Sequence, residues 1–209
     1  MSEDRARKIR LLLFDVDGVM TDGTIWLFPA PAGAKQHTKD KAAEMADGGG
    51  YAIASDSVVE AKGFHAHDGT AISLARLGGI KTGLITKRIS ETVALRARDL
   101  RVDHVHQGIA DKLAVFDEIL AKEKLMAEQA AYVGDDIIDL PVMRRCGLAI
   151  AVPNAREEVK REAHWVTSSP GGYGAIRDAV EYVLKAQGKL DAIIADYLKV
   201  RAPKKTSQK

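Results

Sequence analysis

The stretch Ile9-Arg10-Leu11-Leu12-Leu13-Phe14-Asp15-Val16-Asp17-Gly18 decides the fold. Its apolar run, interrupted only by Arg10, reads as a strand buried on both faces, the signature of a parallel sheet. It stops at a carboxylate, with a second carboxylate two residues on and a glycine after that. Downstream the same rhythm returns. A second strand closes at Leu84-Ile85-Thr86, and further strands are predicted over 104–106, 130–133, 147–152 and 164–167. Helical patterns cover 89–100, 111–124, 137–145, 175–186 and 190–198; in the second of these Leu113, Phe116 and Leu120 recur at helical spacing. Strands alternating with helices predict an α/β fold, a Rossmann-like three-layer parallel sheet with helices on both faces.

One region breaks the alternation. Residues 28–62 hold Pro29-Ala30-Pro31-Ala32-Gly33, then polar sequence rich in Lys and Asp, then Gly48-Gly49-Gly50. This reads as an extended hairpin or flap inserted after the first strand. The expected organisation is one domain over 1–200 with the 28–62 flap inside it, and a basic tail over 201–209.

Composition narrows the function classes. The 209 residues are 46% hydrophobic and 29% charged, a globular mix able to bury a core. Aromatics at 5% and a net charge of +2 give no reason to expect a nucleic-acid surface. No apolar segment is long enough to span a membrane, and the charged N-terminus lacks a secretory apolar run. Cys146 is the one cysteine, so no internal disulfide forms, which suits a cytoplasmic protein; it reads as a structural thiol.

The chemistry-bearing residues fall just past strand ends, where an open parallel sheet places its ligands. Asp15 and Asp17 follow the first strand and Thr86 ends the second. Lys112 opens the helix after the third, and Asp135, Asp136 and Asp139 follow the fourth, after Gly134. Carboxylates gathered on one edge repel one another unless a cation joins them, and all-oxygen donors favour magnesium. A carboxylate nucleophile divides a difficult hydrolysis into two displacements. A second carboxylate two residues away can donate a proton in one and accept it in the other. Gly18 lets backbone N–H groups face a phosphate, while a lysine and a hydroxyl neutralise its oxygens. The pairs His65/His67 and His104/His106 lack the further ligands a zinc site needs. Gly48-Gly49-Gly50 lacks the Lys-Ser/Thr ending of a nucleotide phosphate loop.

At these residues the chain resembles the haloacid dehalogenase superfamily of phosphatases. Asp15-Val16-Asp17-Gly18-Val19-Met20-Thr21-Asp22-Gly23 looks like its first motif, Thr86 its second, Lys112 its third, and Gly134-Asp135-Asp136-Ile137-Ile138-Asp139 its fourth. Asp68-Gly69, Val105-His106-Gln107-Gly108, Pro141-Val142-Met143, Gly171-Gly172-Tyr173-Gly174 and Gln187-Gly188-Lys189-Leu190-Asp191 narrow the resemblance to the branch of 3-deoxy-D-manno-octulosonate 8-phosphate phosphatases and their sialic-acid-type relatives.

That resemblance implies a core without a large cap and a magnesium-dependent hydrolysis through an aspartyl phosphate. It assigns Asp15 as nucleophile and metal ligand, Asp17 as acid/base with its carbonyl on the metal, and Asp135 as a further ligand. Asp136 and Asp139 become outer support, and Thr86 and Lys112 join the catalytic set. His65, His67, Asp68, Gly69, Lys87, Arg88, Arg96 and Lys112 become the substrate-binding set for a phosphorylated sugar acid. The resemblance also implies a homotetramer in which flap and tail close a neighbour's site.

The chain departs from the pattern where the family has glycine after the second-motif hydroxyl (here Lys87), at His65-Ala66-His67, and at Ser73, where an arginine is usual. The alternatives are a phosphatase for another nonulosonate phosphate or a nucleotide, and a non-catalytic oligomerisation module of the same fold.

Overall fold

The computed structural model describes residues 1–33, 51–52 and 57–201. Six strands form one parallel sheet: β1 (Leu11–Phe14), β5 (Lys81–Thr86), β7 (His104–Gln107), β8 (Ala130–Gly134), β9 (Leu148–Ala151) and β10 (Trp165–Val166). Their order is β10-β9-β8-β1-β5-β7. β1 therefore lies at the switch point, where the chain first builds outward through β5 and β7 and then returns to build through β8 on the other side. An open sheet leaves a crevice at that place, beyond the carboxyl ends of the strands. The register fixes what lines it. Phe14 pairs with both Leu84 and Val133, so the ends of β1, β5 and β8 come level. β1 and β8 are buried throughout, which is why they read as unbroken apolar runs.

The helices form two groups, one on each face of the sheet. On one side α7 (Ala175–Ala186) packs against α1 (Ser2–Ala6) and α2 (Ala66–Leu77), with α8 (Leu190–Arg201) alongside. On the other, α5 (Leu140–Arg145) packs against α4 (Lys112–Glu123) and α6 (Glu157–Glu162). A short helix α3 (Glu91–Leu100) leans on α2. No helix among the described residues is long and apolar enough to cross a membrane.

The expected three-layer architecture is present, with local differences. The helix predicted from residue 89 starts at Glu91, because Arg88–Ile89 forms a short parallel pairing, β6, with β3 (Tyr51–Ala52). Ser90 is extended and serves as the helix N-cap position. The helix predicted over 137–145 divides into a 3₁₀ turn, Ile137–Asp139, and α5, with Pro141 in its first turn where a missing N–H costs nothing. α1 and α6 are too short to carry a periodic signal and were not predicted.

Two arms of the expected flap are described. β2 (Trp26–Pro29) runs antiparallel to β4 (Val58–Ala61), with Trp26 opposite Ala61 and Pro29 opposite Val58. Gly48-Gly49-Gly50 and residues 202–209 of the tail lie outside the described residues.

Asp68 ties α2 to α7. Its buried carboxylate accepts a hydrogen bond from the Arg177 N–H at 2.9 Å, in the first turn of α7. An N-terminal helical N–H has no partner within its own helix, so this bond meets a need the helix cannot. We expect Asp68→Ala to lower unfolding stability by about 2 kcal/mol, since it strands a buried donor. A urea midpoint unchanged from the natural protein would remove Asp68 from this role.

Candidate active site

The first loop after β1 turns sharply. Gly18 has φ +96°, a left-handed conformation that glycine takes without strain, and a Cβ there would collide with the Asp135 carboxylate. A Cβ on Gly171 would strike the Gly18 carbonyl. Asn154 closes the arrangement: its Nδ2 donates to the Gly18 carbonyl at 2.9 Å, and its Oδ1 accepts from the Gly171 N–H at 2.7 Å. Three distant loops thus hold one tight turn, and Asp15 sits at its start.

Four of the predicted residues meet there. Lys112 Nζ lies 2.9 Å from Asp15 Oδ1 and 2.7 Å from Asp139 Oδ1, and all three side chains are buried. Asp15, Asp135 and Asp139 bring carboxylate oxygens within 4.8 Å of one another. The three are not equivalent. Asp139 is saturated: Oδ1 accepts from Lys112 and from the Tyr132 hydroxyl at 2.8 Å, and Oδ2 accepts from the N–H groups of Asp135 and Asp136 at 3.0 and 3.3 Å. Asp15 Oδ1 is buried against the Lys112 ammonium that it shares with Asp139, whereas Asp135 Oδ1 is buried with no hydrogen-bond partner among the described residues. A buried carboxylate oxygen without a partner is costly, and a hard divalent cation held by Asp135 and Asp15 would satisfy it. Asp15 and Asp135 therefore fit a cation, while Asp139 is occupied in orienting Lys112 and the turn after β8.

The electrostatics agree. Burial raises the Asp15 carboxyl to about 7, with Lys112 opposing the rise and Asp139 adding to it. Burial, then the neighbouring Asp15 and Asp139, raise Asp135 to about 8. Burial disfavours charge on Lys112, but the two carboxylates beside it outweigh that and raise its pKa, so it stays an ammonium. One buried cation faces three carboxyl groups, and the excess negative charge is what a metal ion would neutralise.

A second group adjoins Asp17. Lys62 Nζ pairs with Asp17 Oδ1, and Arg88 Nε lies 3.8 Å from Asp17 Oδ2. Glu60, on β4, accepts from Arg88 at 2.7 Å and lies 3.8 Å from Lys62. Thr86 is buried at the end of β5, where its hydroxyl accepts from the Arg88 N–H at 3.4 Å. Lys87 is half-buried between them.

The remaining predicted residues gather around the start of α2. Gly69 packs so closely on the Arg96 guanidinium that a Cβ would press on it, and Arg96 lies 5.8 Å from the Phe64 ring. His65 and His67 meet edge to face at 4.7 Å; His67 is exposed, and His65 lines a cavity with Asp22, Trp26, Phe64, Gly172 and Tyr173. Asp68 faces α7 instead of this cavity. Asp136 is exposed and caps the 3₁₀ turn through the Ile137 N–H at 2.7 Å.

Sequence reasoning missed Lys62, Glu60, Tyr132 and Asn154. For Tyr132 a signal existed, a lone phenol in an all-apolar strand, since a buried hydroxyl needs a partner.

The chain is similar to known proteins along most of its length. The pattern of the haloacid dehalogenase-like hydrolases matches residues 85–179, which span Thr86, Lys112 and Asp135. The 3-deoxy-D-manno-octulosonate 8-phosphate phosphatase of Escherichia coli strain K12 is 37% identical over 187 residues, 90% of this chain and 85% of that one. The chain belongs to that family. Phosphatase chemistry follows from the membership. The crystal structure of the Yersinia pestis phosphatase of the same name superposes with a TM-score of 0.75 at 36% identity, covering 91% of this chain and 88% of that one. The Moraxella catarrhalis phosphatase, solved with magnesium, phosphate and the sugar acid, gives 0.76 at 31% identity, covering 93% and 97%.

The raised carboxyls of the phosphatase make cation binding depend on pH. Both folded-state values lie above the ordinary 3.8, so the cation-free fold retains protons that the unfolded chain releases. Its stability should fall as pH rises from about 4 toward 8. A divalent cation must displace those protons, so its affinity should rise with pH, by up to about tenfold per unit for each proton released. Calorimetric titration with magnesium at about pH 6 and about pH 8 checks this; equal affinities would contradict it.

Proposed function

We propose that the protein hydrolyses the phosphomonoester of a sugar acid, 3-deoxy-D-manno-octulosonate 8-phosphate being the leading candidate, through an aspartyl phosphate on Asp15. The single observation that carries this reading is the buried carboxylate cluster, Asp15 on the Lys112 ammonium and Asp135 with an unpartnered oxygen, which one ammonium does not balance. The relatives' substrate supports the choice of sugar acid.

Asp15 and Asp135, with the Asp17 carbonyl that the resemblance adds, would hold magnesium, which when bound would draw negative charge from the phosphoryl group. The protein's own residues do the rest. Asp15 attacks phosphorus, and the bond to the sugar oxygen breaks with its electron pair on that oxygen. Asp17 gives the leaving oxygen a proton. Water then attacks the phosphorus, passes a proton back to Asp17, and the bond to Asp15 breaks to release phosphate. Lys112 and the Thr86 hydroxyl hold the oxygens that gather charge as phosphorus changes partners. Lys87 and Arg88, next to Thr86, are the cations assigned to the substrate carboxylate. His65, His67 and Arg96 stand around the start of α2 for the sugar; His67 replaces the family's usual residue, which favours a different phosphorylated acid as the second reading.

Assembly as a homotetramer is supported by β2. Ile25, Trp26, Leu27 and Phe28 are exposed by between 42% and 56%, a run of apolar surface that a single copy leaves in water. A Trp26→Glu, Phe28→Glu double substitution should shift the species seen by light scattering toward the monomer; an unchanged mass would remove β2 from the interface.

The direct test of the function is a magnesium-supported phosphate-release screen over sugar-acid phosphates, nucleotides and p-nitrophenyl phosphate. We expect turnover of a sugar-acid phosphate, lost on chelation and reduced at least about 1,000-fold in Asp15→Asn, in keeping with loss of a nucleophile. Full turnover in Asp15→Asn would reject the covalent route. No hydrolysis of any ester by the natural protein would favour the silent oligomerisation module.

A further inference from the structure

Lys62 is an unusual lysine. Its side chain has no exposure, although it lies two residues past Glu60 at the end of a hairpin arm whose other strand is in water. A buried ammonium costs several kcal/mol unless it is paired, and its partners here are Asp17 and, at 3.8 Å, Glu60. Lys62 follows directly on β4, and both it and Glu60, two residues earlier, reach the Asp17 side of the flap arm. Glu60 is itself tied to Arg88. Two cations and two anions close a ring between the flap arm and the loop after β1.

The ring treats the two oxygens of Asp17 differently. Oδ1 is held by Lys62, whereas Arg88 stands 3.8 Å from Oδ2, beyond hydrogen-bond length. The loop alone does not fix that carboxylate, since Asp17 has non-helical dihedrals beside a glycine in the left-handed region. Neither family resemblance nor the alternation of strands and helices singles out Lys62.

We propose that Lys62 is a positioning residue: by holding Asp17 Oδ1 it turns Oδ2 toward the leaving oxygen, so the flap arm is part of the proton-transfer apparatus. This rests on the reading of Asp17 as acid and base. Lys62 touches neither substrate nor metal in this role. It acts through the orientation of one carboxylate, and its removal should therefore harm only the proton-dependent steps.

Leaving-group chemistry separates those steps. An alkyl phosphate needs a proton on its departing oxygen, whereas 2,4-dinitrophenolate leaves without one. The test uses the full-length protein with magnesium, the sugar-acid phosphate it turns over, and 2,4-dinitrophenyl phosphate, comparing Lys62→Met, Lys62→Arg and Asp17→Asn. In Lys62→Met, kcat on the sugar phosphate should fall about 100-fold, the scale of lost general-acid catalysis, with KM nearly unchanged. The same variant should still release a rapid burst of dinitrophenolate before slow turnover, because Asp15 is still phosphorylated but water is no longer activated. Lys62→Arg, which keeps the charge, should recover most of the rate.

Loss of the dinitrophenolate burst together with the loss on the sugar phosphate, or no loss on either ester, would overturn the role of Lys62. If Lys62→Met does not fold, Lys62→Gln is judged by the same two readouts, the burst and the rate on the sugar phosphate. Asp17→Asn with natural activity on the sugar phosphate would instead reject the acid/base reading itself, whatever Lys62 does.

Discussion

The ammonium of Lys112, buried between Asp15 and Asp139, is the contact on which the rest of the site depends. A lone charge in that position would be prohibitive, and a single carboxylate would merely neutralise it. Here it is outnumbered. Asp139 is consumed by Lys112, the Tyr132 hydroxyl and two backbone N–H groups, so Asp15 and Asp135 are left with charge that the protein does not balance. A site left negative and half-satisfied by design is poised for a cation and then for the phosphoryl group that a cation attracts. Stability is given up locally for this, as the raised carboxyls show.

Close backbone approach is the second constraint. Gly18 and Gly171 meet where no side chain could stand, and Asn154 bonds to both. Gly134 leaves room for Asp139 in the same manner. The nucleophile's loop is thereby fixed by segments that follow β9 and β10, far along the sequence but level with it at the sheet's edge. The flap arm adds a second attachment through Lys62, so the loop is held from the core on one side and from the insertion on the other.

Much of this was legible in the sequence, and for a reason. Strands buried on both faces have no polar alternation, so Leu11–Phe14 and Ala130–Gly134 announced themselves. The rule that ligands gather past strand ends then put Asp15, Lys112, Asp135 and Asp139 together from the sequence alone. What stayed hidden depends on tertiary contacts. Nothing local distinguishes Lys62 from a solvated lysine, because its burial is created by Asp17, 45 residues earlier. Asp68 resembled a substrate contact by position in a motif, yet its carboxylate binds the Arg177 N–H, 109 residues later. The start of α3 was misjudged by two residues because β6 pairs with a strand inside the insertion, where no pattern could foretell a partner.

The claim that the unbalanced carboxyl of Asp15 receives the phosphoryl group can be met directly. The protein is mixed with substrate and magnesium, quenched in acid within one turnover, digested and read by mass spectrometry. The account predicts a single acid-stable, base-labile phosphoryl group on the peptide that carries Asp15. A phosphoryl group on any other residue, or phosphate release with no labelled peptide at any quench time, would contradict it.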